Sequence, residues 1–197
     1  MTSIDHITLE VADIANAERF YTGALDLGAK VRLRASEAPT TGFRGFTLSL
    51  LMSQPSTVNA LMDAAAEAGG KTLKPAAKSL WGYGGVLQAP DGTIVTFASS
   101  SKKDTGPATR QIDDVVIQLG VADVAASKRF YVARGLEVGK SYGSKYVDFA
   151  GTVKLALLKR KALAKAAGVA PDGEGSHRFT IGSDAGAFTD PDGFGWE

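Results

Sequence analysis

One stretch of this chain occurs twice, and that repeat limits the fold more than any other feature. Ile4-Asp5-His6-Ile7-Thr8-Leu9-Glu10-Val11 returns in outline as Ile112-Asp113-Asp114-Val115-Val116-Ile117-Gln118-Leu119. After a two-residue slip, Asp13, Arg19, Phe20 and Tyr21 return as Asp123, Arg129, Phe130 and Tyr131. Alternating apolar residues predict a strand, and Ala17, Phe20, Tyr21, Ala24 and Leu25 recur at helical spacing, so each copy reads as a strand followed by a helix packed on it. Asp13 and Asp123 are placed to cap the free N–H groups of these helices, and Gly28 and Gly135 to end them. The Phe-Tyr pairs read as core. The repeat also covers the closing segments: Ala89-Pro90-Asp91-Gly92 and Asp190-Pro191-Asp192-Gly193 each predict a tight turn into a last strand.

The expected organisation is therefore a first domain over 1–98, a linker over 99–110 and a second domain over 111–197. The linker has turn-forming composition and no periodicity. The copies are unequal. The first has an amphipathic helix over Ser56 to Ala68, with Val58, Leu61, Met62 and Ala65 on one face and Gly69-Gly70 behind it. The second has only Gly182 to Thr189 between the strand expected at His177 to Ile181 and its closing turn, too short for a helix and a returning strand. Its sheet must be open on one side, or covered by another part of the chain or by a second subunit.

Composition removes several classes of function. The 22 basic and 21 acidic residues leave a net charge of +1, so no long-range field holds a polyanion and no nucleic-acid partner is expected. Lys159, Arg160, Lys161 and Lys165 read as the solvated face of a short helix. With no cysteine there is no disulfide, thiolate ligand or cysteine nucleophile. No apolar run approaches the ~20 residues that cross a bilayer, and the chain enters its first strand at once, so a soluble, cytoplasmic protein is expected. Neither histidine lies in a recognisable triad context for a serine nucleophile, and Gly82-Tyr83-Gly84-Gly85 lacks the lysine of a phosphate loop.

Taken together, Ile-Asp-His-Ile-Thr-Leu-Glu-Val, the helical Arg-Phe-Tyr, Trp81-Gly82-Tyr83-Gly84-Gly85 and the closing Asp-Pro-Asp-Gly resemble the vicinal oxygen chelate superfamily. That superfamily includes glyoxalases, extradiol dioxygenases and bleomycin-resistance proteins. The resemblance spans nearly the whole chain. It implies an α+β fold of paired βαβββ modules forming half-open curved sheets, with the second domain abbreviated, around a pocket for a small organic molecule. It does not choose among the family's chemistries.

Strand alternation turns His6, Thr8 and Glu10 away from the helices and toward such a pocket. His6, His177 and Glu197 occupy positions where metal-binding relatives carry ligands. They meet if the leading module of one domain pairs with the trailing module of the other, as in some relatives. The complementary set, Asp114, Arg44 and Thr96, places a cation at a ligand position and should stay empty. A two-histidine, one-carboxylate site suits Fe, Mn, Ni or Zn and leaves coordination positions open for a substrate's adjacent oxygens. Glu10 is then the nearest base. This is the expectation for a metal-dependent lyase, isomerase or dioxygenase. The alternative is a metal-free binding or resistance protein of the antibiotic-sequestering type, with Trp81, Tyr83, Phe179 and Trp196 contacting a flat or apolar ligand. In either case a homodimer is a natural way to cover the incomplete second sheet.

Overall fold

The computed structural model describes residues 2–197. In chain order the first half contains β1 (Ile4–Val11), α1 (Ile14–Glu18), which continues as a π-helical turn over Arg19–Ala24, β2 (Val31–Ala35), β3 (Thr40–Gly42), β4 (Phe46–Leu51), α2 (Pro55–Glu67), β5 (Lys71–Ser79), β6 (Gly82–Gln88) and β7 (Ile94–Ser99). The second half contains β8 (Asp114–Val121), α3 (Val124–Ala133), β9 (Val138–Tyr142), β10 (Tyr146–Phe149), β11 (Lys154–Lys159), α4 (Arg160–Ala167), β12 (Gly173–Gly175), β13 (Phe179–Ser183), β14 (Phe188–Thr189) and β15 (Gly195–Trp196). The α+β class is as expected.

The strands do not sort by half. An eight-stranded sheet runs β5-β6-β7-β4-β8-β11-β10-β9, and a five-stranded sheet runs β14-β15-β13-β1-β2. In the large sheet β4α2β5β6β7 and β8α3β9β10β11 are both complete βαβββ modules, joined through antiparallel β4 and β8. The small sheet joins the beginning of the chain to its end, with β1 antiparallel to β13. Both of its modules are short. β2 lies parallel beside β1 without an intervening hairpin, and β13 lies parallel to β15, with β14 on the outer side. The absent helix of the last module was legible in the sequence. The shortened first module was not, because the segment after β2 still carries strand-like residues. Those residues pair instead as β3 with β12, a two-stranded clip across the halves.

The two helical caps act as expected: Asp13 accepts from Asn16 N, and Asp123 accepts from Ala125 N and Ala126 N. Gly135 ends its helix in the left-handed region, whereas the first helix is turned by Asp26, with a φ of 52°, and not by Gly28. The main core lies between helices and sheets and contains Ile7, Leu9, Phe20, Tyr21, Leu119 and Tyr131. A similar tie occurs in both halves, although the two carboxylates stand at different positions of the closing turn. Tyr21 donates to Asp91 of the first closing turn, and Tyr131 to Asp190 of the second, so each leading helix is tied to a closing turn by a buried phenol.

α4 alters the large sheet. Its apolar face, Leu163, Ala164 and Ala167, packs in a separate cluster with Phe43 of the β3–β4 loop and with Val86 and Ile94, strand residues that alternate with the main core. The basic run around it is only partly the solvated face that the sequence implies. Lys159, Lys161 and Lys165 are exposed, but half-buried Arg160 donates to the carbonyls of Phe43 and Pro171.

Candidate functional site

The polar face of the five-stranded sheet gathers several of the residues the sequence singles out. On β1, His6, Thr8 and Glu10 alternate with buried Ile7, Leu9 and Val11. Thr8 pairs with Thr180 of β13 and with Arg32 of β2, and Glu10 pairs with Arg34. Glu197 joins this face because the backbone carries on past β15: its N–H donates to Ile181 O, and its carbonyl accepts from Ser183 N. The carboxylate is held on both oxygens. Oε1 accepts from Thr8 Oγ1 at 2.6 Å, and Oε2 accepts from Arg34. Burial opposes its charge, but hydrogen bonds from Arg34 and Thr8 outweigh that and keep its pKa below the usual carboxylate range.

His6 Nε2 lies 3.9 Å from Glu197 Oε1, close but beyond a hydrogen bond. The imidazole is 12% exposed, and its Nδ1 is buried without a partner. Its ring lies over Gly182, where a Cβ would fall on it, so glycine lets the ring sit in this position. Burial, then the Arg32 charge, lower the His6 pKa below 6.5 despite Glu197 and Asp5. The ring is therefore neutral near pH 7. Glu10 Oε1 sits 3.7 Å from Arg34 Nη1, so the carboxylate expected to act as a base belongs to the same charged row.

His177 is not with them. The strand expected at His177 to Ile181 begins only at Phe179, because Arg178 has a φ of 58° and turns the chain out of the extended conformation. His6 is paired with Gly182, five residues further along and on the order of 15 Å away at about 3.3 Å per residue. His177 Nδ1 instead donates to the Arg44 carbonyl at 2.6 Å, and its ring lies 4.2 Å from that of Phe194. Among the described residues no group of three or more His, Cys, Asp or Glu side chains is arranged to hold a metal ion. The donor set present does not fit a divalent ion: two donors converge, and the carboxylate already serves Arg34 and Thr8. Pairing of the first strand with the trailing module does occur, but the three-residue ligand set does not assemble from it. In the complementary set, Asp114 Oδ2 is 2.7 Å from Lys154 Nζ, and Arg44 turns to Asp91.

The expected aromatic contacts do not form one surface either. Trp81 is 85% exposed at the β5–β6 hairpin. Tyr83 is half-buried and donates to Asn59. Phe179 packs on Phe46 with ring centroids 4.0 Å apart, and Trp196 stacks on Phe188 at 4.9 Å, so both are core side chains. The residues that sequence reasoning missed are Arg34 and Thr8. Thr8 lay on the pocket face of the first strand. Arg34 had no signal, since nothing showed that β2 would lie beside β1.

No family model and no curated protein matches this sequence. Solved structures do. Glyoxalase I from Zea mays superposes with a TM-score of 0.60 at 14% identity, covering 100% of this chain and 91% of that one. A glutamate-to-glutamine mutant of the same maize enzyme gives 0.61 at 15% identity over 99% and 92%. A dioxygenase candidate from Bacillus subtilis gives 0.56 at 13% identity over 96% and 71%. Identities this low speak to architecture alone. With the shared sheets, the doubled βαβββ modules and these superpositions over the full length, the chain has the fold of the vicinal oxygen chelate superfamily.

Proposed function

We propose that this protein binds a small, oxygen-rich organic molecule on the polar face of the five-stranded sheet without a three-ligand metal ion. The observation that carries this reading is the engagement of Glu197. A carboxylate held by Arg34 and Thr8 is a fixed anchor within a hydrogen-bonding surface, and the Arg34 cation already balances its charge where a metal ion would be repelled. Arg34 is half exposed and carries donors beyond those it gives to Glu197, and Arg32 lies beside it on β2. Together they favour ligand carboxylate, carbonyl or hydroxyl oxygens. His6, neutral and largely shielded, supplies one donor or acceptor at the edge of this row and is the group best placed to accept a proton.

The test is metal content by inductively coupled plasma mass spectrometry on untagged protein, as purified without chelators and after loading with Fe(II), Mn(II), Ni(II) or Zn(II). Well under one ion per chain is expected in every case. One ion per chain, lost in His6→Ala and Glu197→Gln, would overturn the metal-free reading. In a parallel thermal-shift screen of small hydroxy and oxo acids, stabilisation that is lost in Arg34→Met is expected. Hits unaffected by Arg34→Met would remove this face from consideration.

A further inference from the structure

A second binding feature lies away from that face, at the end of the eight-stranded sheet. Between the start of β4, the turn joining β6 to β7 and the segment after α4 there is a cavity of about 280 Å³. That is close to the lower end of small-ligand sites, roughly 300 Å³. Phe43, Ile94 and Val169 contribute apolar wall, and Arg44, Gln88 and Thr93 contribute polar wall.

Arg44 makes this more than a packing gap. Its side chain is only 10% exposed. One terminal nitrogen, Nη2, donates to the Asp91 carbonyl. The other, Nη1, is buried, lies 3.6 Å from Asp91 Oδ2 and has no hydrogen-bond partner. Asp91 is held in place, with Oδ1 accepting from Tyr21 at 2.7 Å and Oδ2 from Thr93 at 2.5 Å, and Oδ2 stays beyond hydrogen-bond distance of Nη1. It therefore positions the guanidinium without saturating it. Gly92, with a φ of +90°, runs so close that a Cβ would sit 2.7 Å from Arg44 Nη2, which fixes the side chain from the other side. Burial, and the charge of Arg178 beyond, lower the Arg44 pKa, so the cation sits where a nearby anion would be favourable. A desolvated guanidinium with an unused N–H is the standard receptor for a carboxylate. Asp172, exposed at the rim, adds a negative charge that weighs against dianions such as phosphate.

We propose that this cavity binds a small monocarboxylate, with its carboxylate on Arg44 and its compact apolar body against Phe43, Ile94 and Val169. The site is independent of the face around Glu197, and neither reading needs the other.

Benzoate serves as the probe, with neutral benzyl alcohol and inorganic phosphate as controls, followed by ¹H–¹⁵N NMR on the full chain. Benzoate is expected to give saturable shifts at the amides of Gly92, Thr93 and Ala170 while those of Thr8 and Thr180 stay still. Benzyl alcohol should bind about tenfold more weakly, the ratio that one charge-assisted hydrogen bond supplies. Val169→Trp, which fills the cavity from its rim and leaves the Asp91 network intact, should abolish the benzoate shifts. Arg44→Gln should erase the preference for benzoate over the alcohol. Absence of saturable shifts, equal binding of the alcohol, tighter binding of phosphate, or benzoate binding unchanged in Val169→Trp would each overturn the proposal. Because Val169→Trp spares Arg44, the test holds even if Arg44→Gln does not fold.

Discussion

The buried phenol–carboxylate pairs show how one side chain can hold two distant parts of this chain together. Asp190 is 5% exposed, and burial raises its pKa despite the hydrogen bonds from Tyr131 and the backbone that favour its charge. In Tyr131→Phe the carboxylate keeps its backbone donors from Asp192 and Phe194 but loses the phenol. The expected cost is about 2 kcal/mol, read as a lower midpoint in urea at unchanged slope. A loss below about 0.5 kcal/mol would show that water replaces the phenol. His6 and Glu197 both make acid destabilising, by different routes. The folded pKa of His6 lies below 6.5, so the unfolded chain binds more protons as pH falls through that value, and folding loses stability. The folded pKa of Glu197 lies below 4.5, so its contribution is present above that value and disappears as pH falls through the folded pKa. In His6→Gln the melting temperature should become flatter between roughly pH 7 and 5, while the steeper loss at lower pH remains. An unchanged slope in the upper window would show that His6 is not shielded as described.

At the scale of elements, α4 and Gly182 matter most. α4 is only eight residues long, too short to persist by its own propensity. It forms because Leu163, Ala164 and Ala167 are buried on the large sheet and Lys74 caps its C-terminal carbonyls at 3.1 and 2.7 Å. Leu163→Ala should therefore cost about 2–3 kcal/mol, and limited proteolysis should begin at the residues after α4. Cleavage elsewhere first would mean that the helix is not the weak point. Gly182→Ala would press a methyl group into the His6 ring. The expected result is a folded protein whose His6 ring signals shift in NMR while core resonances hold. A global loss of dispersion would instead mean that the strand cannot bend to accommodate the methyl.

For the whole molecule, the shared sheets make the halves interdependent. β1 needs β13, and β4 needs β8. Fragments 1–98 and 111–197 each expose apolar strand edges when separated, and neither is expected to show a dispersed NMR spectrum alone. Mixed in equal amounts, they should regain dispersion and circular dichroism close to those of the intact chain. A half that folds by itself would overturn this view of the domains. Among the described residues no helix is long and apolar enough to cross a membrane.

The sequence by itself determined the local plan. The alternation in Ile4–Val11, the capped helices after Asp13 and Asp123, the closing turns and the missing last helix all depend on neighbouring residues, and periodicity and turn chemistry record them directly. It also placed His6 and Glu197 on one surface, through strand alternation combined with the pairing seen in some relatives. Tertiary structure decided the rest. His177 stays apart from them because the β1–β13 register sets His6 against Gly182, five residues from His177. Arg34 reaches Glu197 only because β2 lies beside β1. Arg44 is left with an unused donor because its Nη1 stops 3.6 Å from Asp91, which Tyr21 and Thr93, far apart in sequence, hold in place. Hydrogen-bond saturation is set by which groups meet across the fold, and no pattern along the chain encodes it.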